Sequence, residues 1–291
     1  MRVTHHMLYQ NFLFHLEYLN KHLKDNFEKI ASGKKIIKPS DDPFGISKAL
    51  NYKAQLADIE QYKRNIQTAI SWQNATETAL QAMTNLLIET KEIAISQGSD
   101  TATAETRAML TVQVGELKKQ ALQIANTKLG NQYIFAGYLT DTQPFVETDN
   151  NYHGDEKQIK INISPYMQLS FNIPGSVFTD GVNIFQMFDD LKTALESNDA
   201  ETIRYLIGTI DEAIKQITTA HANLGSLMNR FESVKNELNN SYVDITASLS
   251  ETEDSDLSKA ASSLAMYQTA YQSTLAGMAR IMQVNLFNYL S

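Results

Sequence analysis

Apolar residues recur along the first thirty positions with the spacing of a single helix face. They lie three or four positions apart, the period of an amphipathic α-helix, and they are Phe12, Leu16, Leu19, Leu23, Phe27 and Ile30. The stripe stops at Ser32-Gly33, where glycine readily adopts the left-handed backbone that ends a helix. The pattern predicts an N-terminal helix that ends at Gly33 and keeps one face for a partner.

A paired aspartate before a proline marks the start of the next predicted helix. Asp41 and Asp42 offer carboxylates to the free N–H groups of a helix start, and Pro43 suits the first helical position. The same pair is compatible with acid–base carboxylates, but the neighbouring proline favours capping. A helical pattern then runs to about Gln97. Fifty residues of helix measure about 75 Å, so the pattern predicts a rod.

The prolines separate helical stretches from an insert. All five lie at positions 39, 43, 144, 165 and 174, and a proline inside a helix costs about 3 kcal/mol. A helix partner to the first rod helix is predicted from about Ala102 to Asn131. Between 132 and 182, residues 158–163 and 167–173 alternate polar and apolar side chains, which is typical of half-buried strands. We predict a small antiparallel β insert there.

The last predicted helix carries a seven-residue repeat. One row is Leu257, Leu264, Tyr271 and Met278, and the offset row is Ala261, Gln268, Leu275, Met282 and Tyr289. A repeat sustained over four heptads predicts pairing with another helix, and we expect the N-terminal stripe to be that partner. The predicted subunit-interface residues are the N-terminal stripe together with Leu257, Leu264, Tyr271, Leu275, Met278, Met282 and Leu286.

The predicted fold class is mainly α. It consists of a long antiparallel helical rod, N- and C-terminal helices paired as a coiled coil, and a small antiparallel β insert domain. The predicted division is a terminal coiled-coil domain (1–40 with 255–291), a helical rod domain (41–131 with 183–254) and the β insert domain (132–182).

Composition excludes several classes of function. The net charge of −8 argues against nucleic acid or an anionic membrane as partner, because phosphate contacts need basic side chains. The sequence has no cysteine, which excludes disulfides, thiolate metal sites and cysteine nucleophiles. No run approaches the roughly 18 apolar residues that span a bilayer, and no cleaved secretory signal follows Met1.

Six histidines raise the question of a metal site. His15 and His22 are seven apart and share a helix face, yet no carboxylate cluster completes a ligand set at the usual spacing. Surface or interface histidines are therefore favoured. We expect no metal, no cofactor and no enzymatic activity.

Both ends of the chain carry motifs of a known family. The Ser32-Gly33 turn, the basic spacer after it and the paired aspartate before Pro43 resemble the N-terminal signature of the bacterial flagellin family. Residues 267–275 and 284–290 resemble its C-terminal helix. In the insert, residues 133–137, 144–145 and 152–155 resemble the family's hook–filament junction members more than its main filament subunits.

The resemblance implies a structural role and a set of partners. These are hook-associated protein 1, flagellin, a ring of further copies, and a cytoplasmic export chaperone over the Leu257–Leu290 region. It also implies export without cleavage and a place outside the cell at the hook–filament junction. The main filament flagellin is the alternative. An α-helical pore-forming toxin is more remote, because its β tongue would be continuously apolar whereas this insert alternates and carries charges such as Asp155 and Lys160.

Overall fold

A computed structural model describes the backbone of residues 2–99 and 102–290, and the side chains of residues 7–99 and 102–280. Six α-helices occur in the described residues: α1 (Arg2–Ser32), α2 (Pro43–Gln97), α3 (Ala104–Ala125), α4 (Ile184–Glu196), α5 (Ala200–Glu253) and α6 (Leu257–Leu290). Four short strands form two antiparallel pairs: β1 (Lys128–Leu129) with β2 (Gln132–Tyr133), and β3 (Lys160–Ser164) with β4 (Met167–Ser170). The predicted fold class, mainly α with a small antiparallel β insert, is confirmed.

The chain divides into two compact units. Residues 1–58 and 241–291 make one, called here the terminal unit, and residues 59–240 make the other, called the central unit. The long helices α2 and α5 contribute to both. The finer three-part division drawn from the sequence remains a prediction.

Ion pairs and backbone contacts hold α2 and α5 antiparallel within the central unit. Lys91 Nζ lies 2.6 Å from the Asp211 carboxylate, and Arg204 Nε donates to the carbonyl of Gly98 at 2.8 Å. The turn from α2 to α3 is held by the buried guanidinium of Arg107, which donates to the carbonyl of Gln97 from Nε at 3.1 Å and from Nη2 at 2.8 Å. A planar guanidinium can satisfy several carbonyls at once, so one side chain closes this turn.

An aromatic cluster anchors the β insert to α4. Phe145 packs against Phe185 with ring centroids 4.7 Å apart, and Phe135 meets Phe178 edge-on at 4.9 Å. The hydroxyl of Tyr152 lies 2.8 Å from the carbonyl oxygen of Phe135, within donating distance. Burial raises the pKa of Tyr152 to about 12. The insert therefore has a packed apolar base in addition to its strand pairs.

Helix α3 ends at Ala125, so the prediction that it continues to Asn131 was wrong. The Asn126 side chain stops it: Nδ2 donates to the carbonyl of Phe145 at 2.8 Å, and Oδ1 accepts from the Phe145 N–H at 3.1 Å. Such side chain–backbone bonds compete with continued helix. Gly130, with φ of +63°, then turns the chain between β1 and β2, a pair that the sequence analysis did not anticipate.

Candidate assembly interface

Helices α1 and α6 of the terminal unit pack side by side and run antiparallel. The N–H of Ser255, just before α6, donates to the carbonyl of Gly33 at 2.9 Å. Farther along, the ring of His22 stacks on Tyr267 with centroids 5.0 Å apart. The start of α6 thus lies beside the end of α1, and later residues of α6 contact earlier residues of α1. The two helices are therefore antiparallel.

The apolar stripe predicted on α1 is largely covered. Leu19 is buried, whereas Phe27 is 64% exposed. The half-buried members are Phe12, Leu16, Leu23 and Ile30. Two successive steps of four residues separate Leu19 from Phe27, and each residue turns the helix by 100°. Phe27 is therefore rotated by about 80° from Leu19 and lies outside the covered face.

On α6, the covered face differs from the predicted one. Leu264, Tyr271 and Met278 are half-buried, whereas Leu257 is 52% and Leu275 43% exposed. A neighbouring row of mostly small residues is covered instead: Ala260, Ser263, Tyr267, Ala270, Thr274 and Gly277. The expectation that the offset row faces the N-terminal stripe is therefore wrong for its described members, Ala261, Gln268 and Leu275, which are all exposed.

Side-chain size explains the choice of face, because small side chains let two helix axes approach closely. The Leu257 and Leu275 side chains are thereby left outside the α1–α6 pair. Their place in a contact between subunits stays a prediction. Met282 and Leu286 lie outside the residues whose side chains the structure describes.

A second apolar face of α1 was missed by the sequence analysis. Met7, Phe14 and Tyr18 are all exposed, Phe14 at 72%. Their spacing of seven and four places them within about 40° of one another, and Phe14 is about 200° around the helix from Phe12. The seven-residue spacing of Met7 and Phe14 was the available signal. We call these three residues the outer face of α1.

The turn after α1 joins the end of α5. Gly33 has a φ of +70°, the left-handed conformation at which the sequence analysis placed the helix end. The N–H of Lys35 donates to the carbonyl of Glu253 at 2.7 Å. Together with the bond from Ser255 to Gly33, this makes a short antiparallel bridge between Lys34 and Asp254. The non-helical connection between α5 and α6 is thus hydrogen-bonded to the connection between α1 and α2.

Glu253 is the charged centre of that junction. Its side chain is 8% exposed, and its two oxygens lie 2.6 Å from Lys34 Nζ and 2.7 Å from Lys53 Nζ. Burial opposes ionisation of Glu253, but hydrogen bonds from Lys34 and Lys53 outweigh it, so the pKa of this carboxyl lies below its ordinary value. The hydrogen bond to Glu253 raises the pKa of Lys34. Sequence analysis gave no reason to select these three residues.

The two aspartates before α2 have separate backbone partners. Asp42 Oδ1 accepts from the N–H groups of Phe44 at 3.1 Å and Gly45 at 2.9 Å, and Pro43 is the first residue of the helix. Asp41 Oδ2 instead accepts from the N–H of Lys38 at 2.8 Å, within the preceding turn. Backbone hydrogen bonds lower the pKa of Asp41. Both carboxylates thus hold the backbone of this connection.

The described part of the terminal unit presents exposed apolar side chains, such as Phe14 on α1 and Leu275 on α6, and the ion pairs of Glu253. In the described residues, no group of three or more His, Cys, Asp or Glu side chains is placed to hold a metal ion. Over the same part of the chain, no helix combines the length and apolar character needed to cross a membrane.

Both ends of the chain match known helical regions of one family. Residues 3–140 match the bacterial flagellin N-terminal helical region, and residues 207–290 match the bacterial flagellin C-terminal helical region. The two matches take in about three quarters of the sequence. The chain belongs to the bacterial flagellin family.

Several individual members of this family match the chain over nearly its whole length. The chain is 26% identical to flagellar hook-associated protein 3 of Escherichia coli (strain K12) and 24% identical to that of Salmonella typhimurium, in each case over 99% of both chains. The flagellin of Bacillus subtilis is 25% identical over 97% of both chains. The crystal structure of flagellar hook associated protein-3 from Legionella pneumophila shares the fold, with a TM-score of 0.62 at 18% identity over 69% of this chain and 97% of that one.

Proposed function

We propose that this chain is a structural subunit of the bacterial flagellum that joins the hook to the flagellin filament. The observation that carries the proposal is the likeness to flagellar hook-associated protein 3 over 99% of both chains. It takes in the β insert as well as the two terminal helices. A likeness confined to the ends would support family membership only.

The terminal unit has the surfaces that such a subunit needs. A subunit between two unlike neighbours requires at least two contact faces. Among the side chains that the structure describes, two apolar faces remain open after α1 and α6 have paired. One is the outer face of α1, and the other includes Leu257 and Leu275 on α6. Covering exposed apolar surface yields about 25 cal/mol per Å², and contiguous patches of this kind mark contact sites.

We assign these faces to the flagellar neighbours. The proposed partners are hook-associated protein 1 on the hook side, flagellin on the filament side, and further copies of this chain in a ring. The same faces would favour aggregation before assembly. A cytoplasmic export chaperone over residues 257–290 is therefore part of the proposal, as are export without a cleaved signal and a final place outside the cell at the junction. The role requires neither catalysis nor a cofactor.

The main filament flagellin is the alternative function. It is favoured by the flagellin of Bacillus subtilis, whose identity to this chain is close to that of the hook-associated proteins. Both functions would use the same terminal helices. The difference between them lies in what the cell loses when the chain is missing.

Deletion of the gene distinguishes the two functions. We expect the mutant to swim poorly and to shed flagellin monomers into the medium, because the filament has lost its anchor, and we expect the wild-type gene to restore both. Flagellin missing from both cell and medium, with hooks still present, would identify the chain as the filament subunit. Normal swimming would contradict both functions.

A further inference from the structure

The tip of the β3–β4 hairpin presents an aromatic side chain to solvent. Tyr166 is 99% exposed, and Met167 beside it is exposed as well. Tyrosine is enriched among the residues that dominate protein–protein binding, because it offers a large amphipathic surface and only two side-chain torsions to fix. The hairpin tip therefore has the composition of a contact point.

A cleft of 310 Å³ lies at the base of the same hairpin. The segment after β4 forms one wall and α5 the other, and its apolar lining consists of Ile173, Pro174, Val177, Ala220 and Leu227. Asp180 and Asn223 are among its polar residues. Ligand sites occupy roughly 300–1,000 Å³, so this cleft suits one bulky side chain. The Asp180 carboxylate is an acceptor suited to a phenol O–H.

Tyr166 is held away from the cleft of its own chain. Asn172 lines the cleft six residues after Tyr166, and extended chain rises about 3.3 Å per residue, which places the tip up to about 20 Å from the base. The base is fixed by Asn172, whose Oδ1 accepts from the N–H of Ile159 at 2.6 Å. The middle of the hairpin is fixed by Asn65, which donates to the carbonyl of Asn162 at 2.8 Å. Tyr166 can therefore reach a cleft of this kind only in another copy of the chain.

We propose that Tyr166 of one copy inserts into this cleft of the next copy in the assembled flagellum. The inference rests on the proposed function, in which copies of the chain are neighbours. Tip and cleft are different surfaces at opposite ends of one hairpin, so the contact is head-to-tail. Repeated head-to-tail contacts build closed rings or helices, the arrangement that a junction between two tubular structures needs.

The absence of cysteine from the sequence allows a direct test. Flagella are isolated from cells whose only copy of the chain carries Tyr166→Cys with Asn223→Cys, and are oxidised before a non-reducing gel. A disulfide requires Cβ atoms about 3.5–4.5 Å apart, so bonds within one chain are excluded and head-to-tail contacts give a ladder of dimers, trimers and larger species. The matched control is Tyr166→Cys with Ala222→Cys, because Ala222 is exposed beside Asn223 but does not line the cleft.

We expect the variant with Tyr166→Cys and Asn223→Cys to give the ladder and the control with Ala222→Cys to give none. Dimers from Tyr166→Cys alone would show tip-to-tip contact and overturn the proposal. A double variant that is present in flagella and does not cross-link would also overturn the proposed contact. That outcome would not contradict the proposed function at the hook–filament junction. Wild-type chain missing from isolated flagella would instead contradict the proposed function itself.

A second variant covers the case in which the cysteine pair does not assemble. Tyr166→Ala is expected to lower the amount of chain retained in flagella about tenfold, because tyrosine is enriched among the few interface residues that dominate binding. Tyr205→Ala, at another exposed tyrosine in the central unit, is expected to leave retention unchanged. Equal retention of the two variants would overturn the contact.

Discussion

The imidazole of His22 stacks on the ring of Tyr267, with centroids 5.0 Å apart and planes 7° from parallel. Tyr18, one turn earlier on α1, meets the same imidazole edge-on at 4.3 Å. Around this contact the covered face of α6 consists largely of small residues such as Ser263 and Ala270. The stack of His22 on Tyr267 is therefore an aromatic contact between α1 and α6, and Tyr18 supports the imidazole from within α1.

Replacing His22 with alanine is expected to loosen the helix pair. Aromatic pairs contribute about 0.5–1.5 kcal/mol beyond their buried area, so amide hydrogens in the middle of α6 should exchange several-fold faster in His22→Ala. Hydrogen–deuterium exchange with peptide resolution measures this. His15→Ala, seven residues earlier and exposed, is the control and should leave α6 unchanged. Equal exchange in both variants would show that the stack has no stabilising role.

Replacing Glu253 with glutamine is expected to weaken the junction between the helix breaks. Loss of the carboxylate leaves Lys34 and Lys53 without their shared counter-charge, and because both lysines are half exposed the expected cost is about 1–3 kcal/mol, below that of a fully buried pair. The measurement is urea unfolding of the two proteins at pH 7. Glu251→Gln, two residues earlier and exposed, is the control and should change stability little.

The same pair of proteins should show a defined pH dependence. The folded pKa of Glu253 lies below its ordinary value of 4.5, so its contribution is present above that pH and is lost as pH falls through the folded value. The folded pKa of Lys34 lies above 10.5, so its contribution is present below that pH and is lost as pH rises through the folded value. The stability difference between wild type and Glu253→Gln should vanish at the acid end. A difference that persists in acid would mean that the charge of the Glu253 carboxylate is not what stabilises the junction.

Two glycines should respond to alanine with opposite signs. A Cβ at Gly45 would lie 2.6 Å from Cδ1 of the buried Ile36 and would collide with the Asp42 carboxylate, so Gly45→Ala should destabilise by about 1–3 kcal/mol through overpacking. A Cβ at Gly208 meets nothing within 4 Å in helix α5, and alanine there should stabilise by about 0.5–1 kcal/mol. Thermal unfolding followed by circular dichroism compares the two. A Gly45→Ala protein as stable as the wild type would argue against the close approach at the start of α2.

Local signals account for the parts of the fold that sequence predicts well. The start of α2 is predictable because the capping by Asp42 and the fixed φ of Pro43 depend on a few neighbouring residues. Its end near Gln97 is predictable because the helical pattern stops there. The Glu253 junction was not foreseeable, since Lys53 meets a carboxylate 200 positions away. The sequence also could not show which face of α6 packs against α1. Leu264 and Ala260 belong to rows with the same period, and only the packed structure shows that the smaller residue faces inward.

Aspartate at Phe14 or at Leu275 is expected to abolish assembly while leaving the fold intact. Phe14 is 72% and Leu275 43% exposed in the single chain, so a charge at either position disturbs few internal contacts. If neighbouring subunits cover these faces, each replacement forfeits about 1.5–3 kcal/mol of apolar burial and adds the cost of desolvating a carboxylate.

The measurement is the amount of variant chain in isolated flagella, together with the helical circular dichroism of the purified protein. Asn20→Asp, which adds a charge at an exposed polar site of α1, should assemble normally and shows whether charge alone is harmful. Normal incorporation of Phe14→Asp would remove the outer face of α1 from the interface. Normal incorporation of Leu275→Asp would do the same for the exposed row of α6. Loss of helical signal in either variant would mean that the residue supports the fold of its own chain, which its exposure argues against.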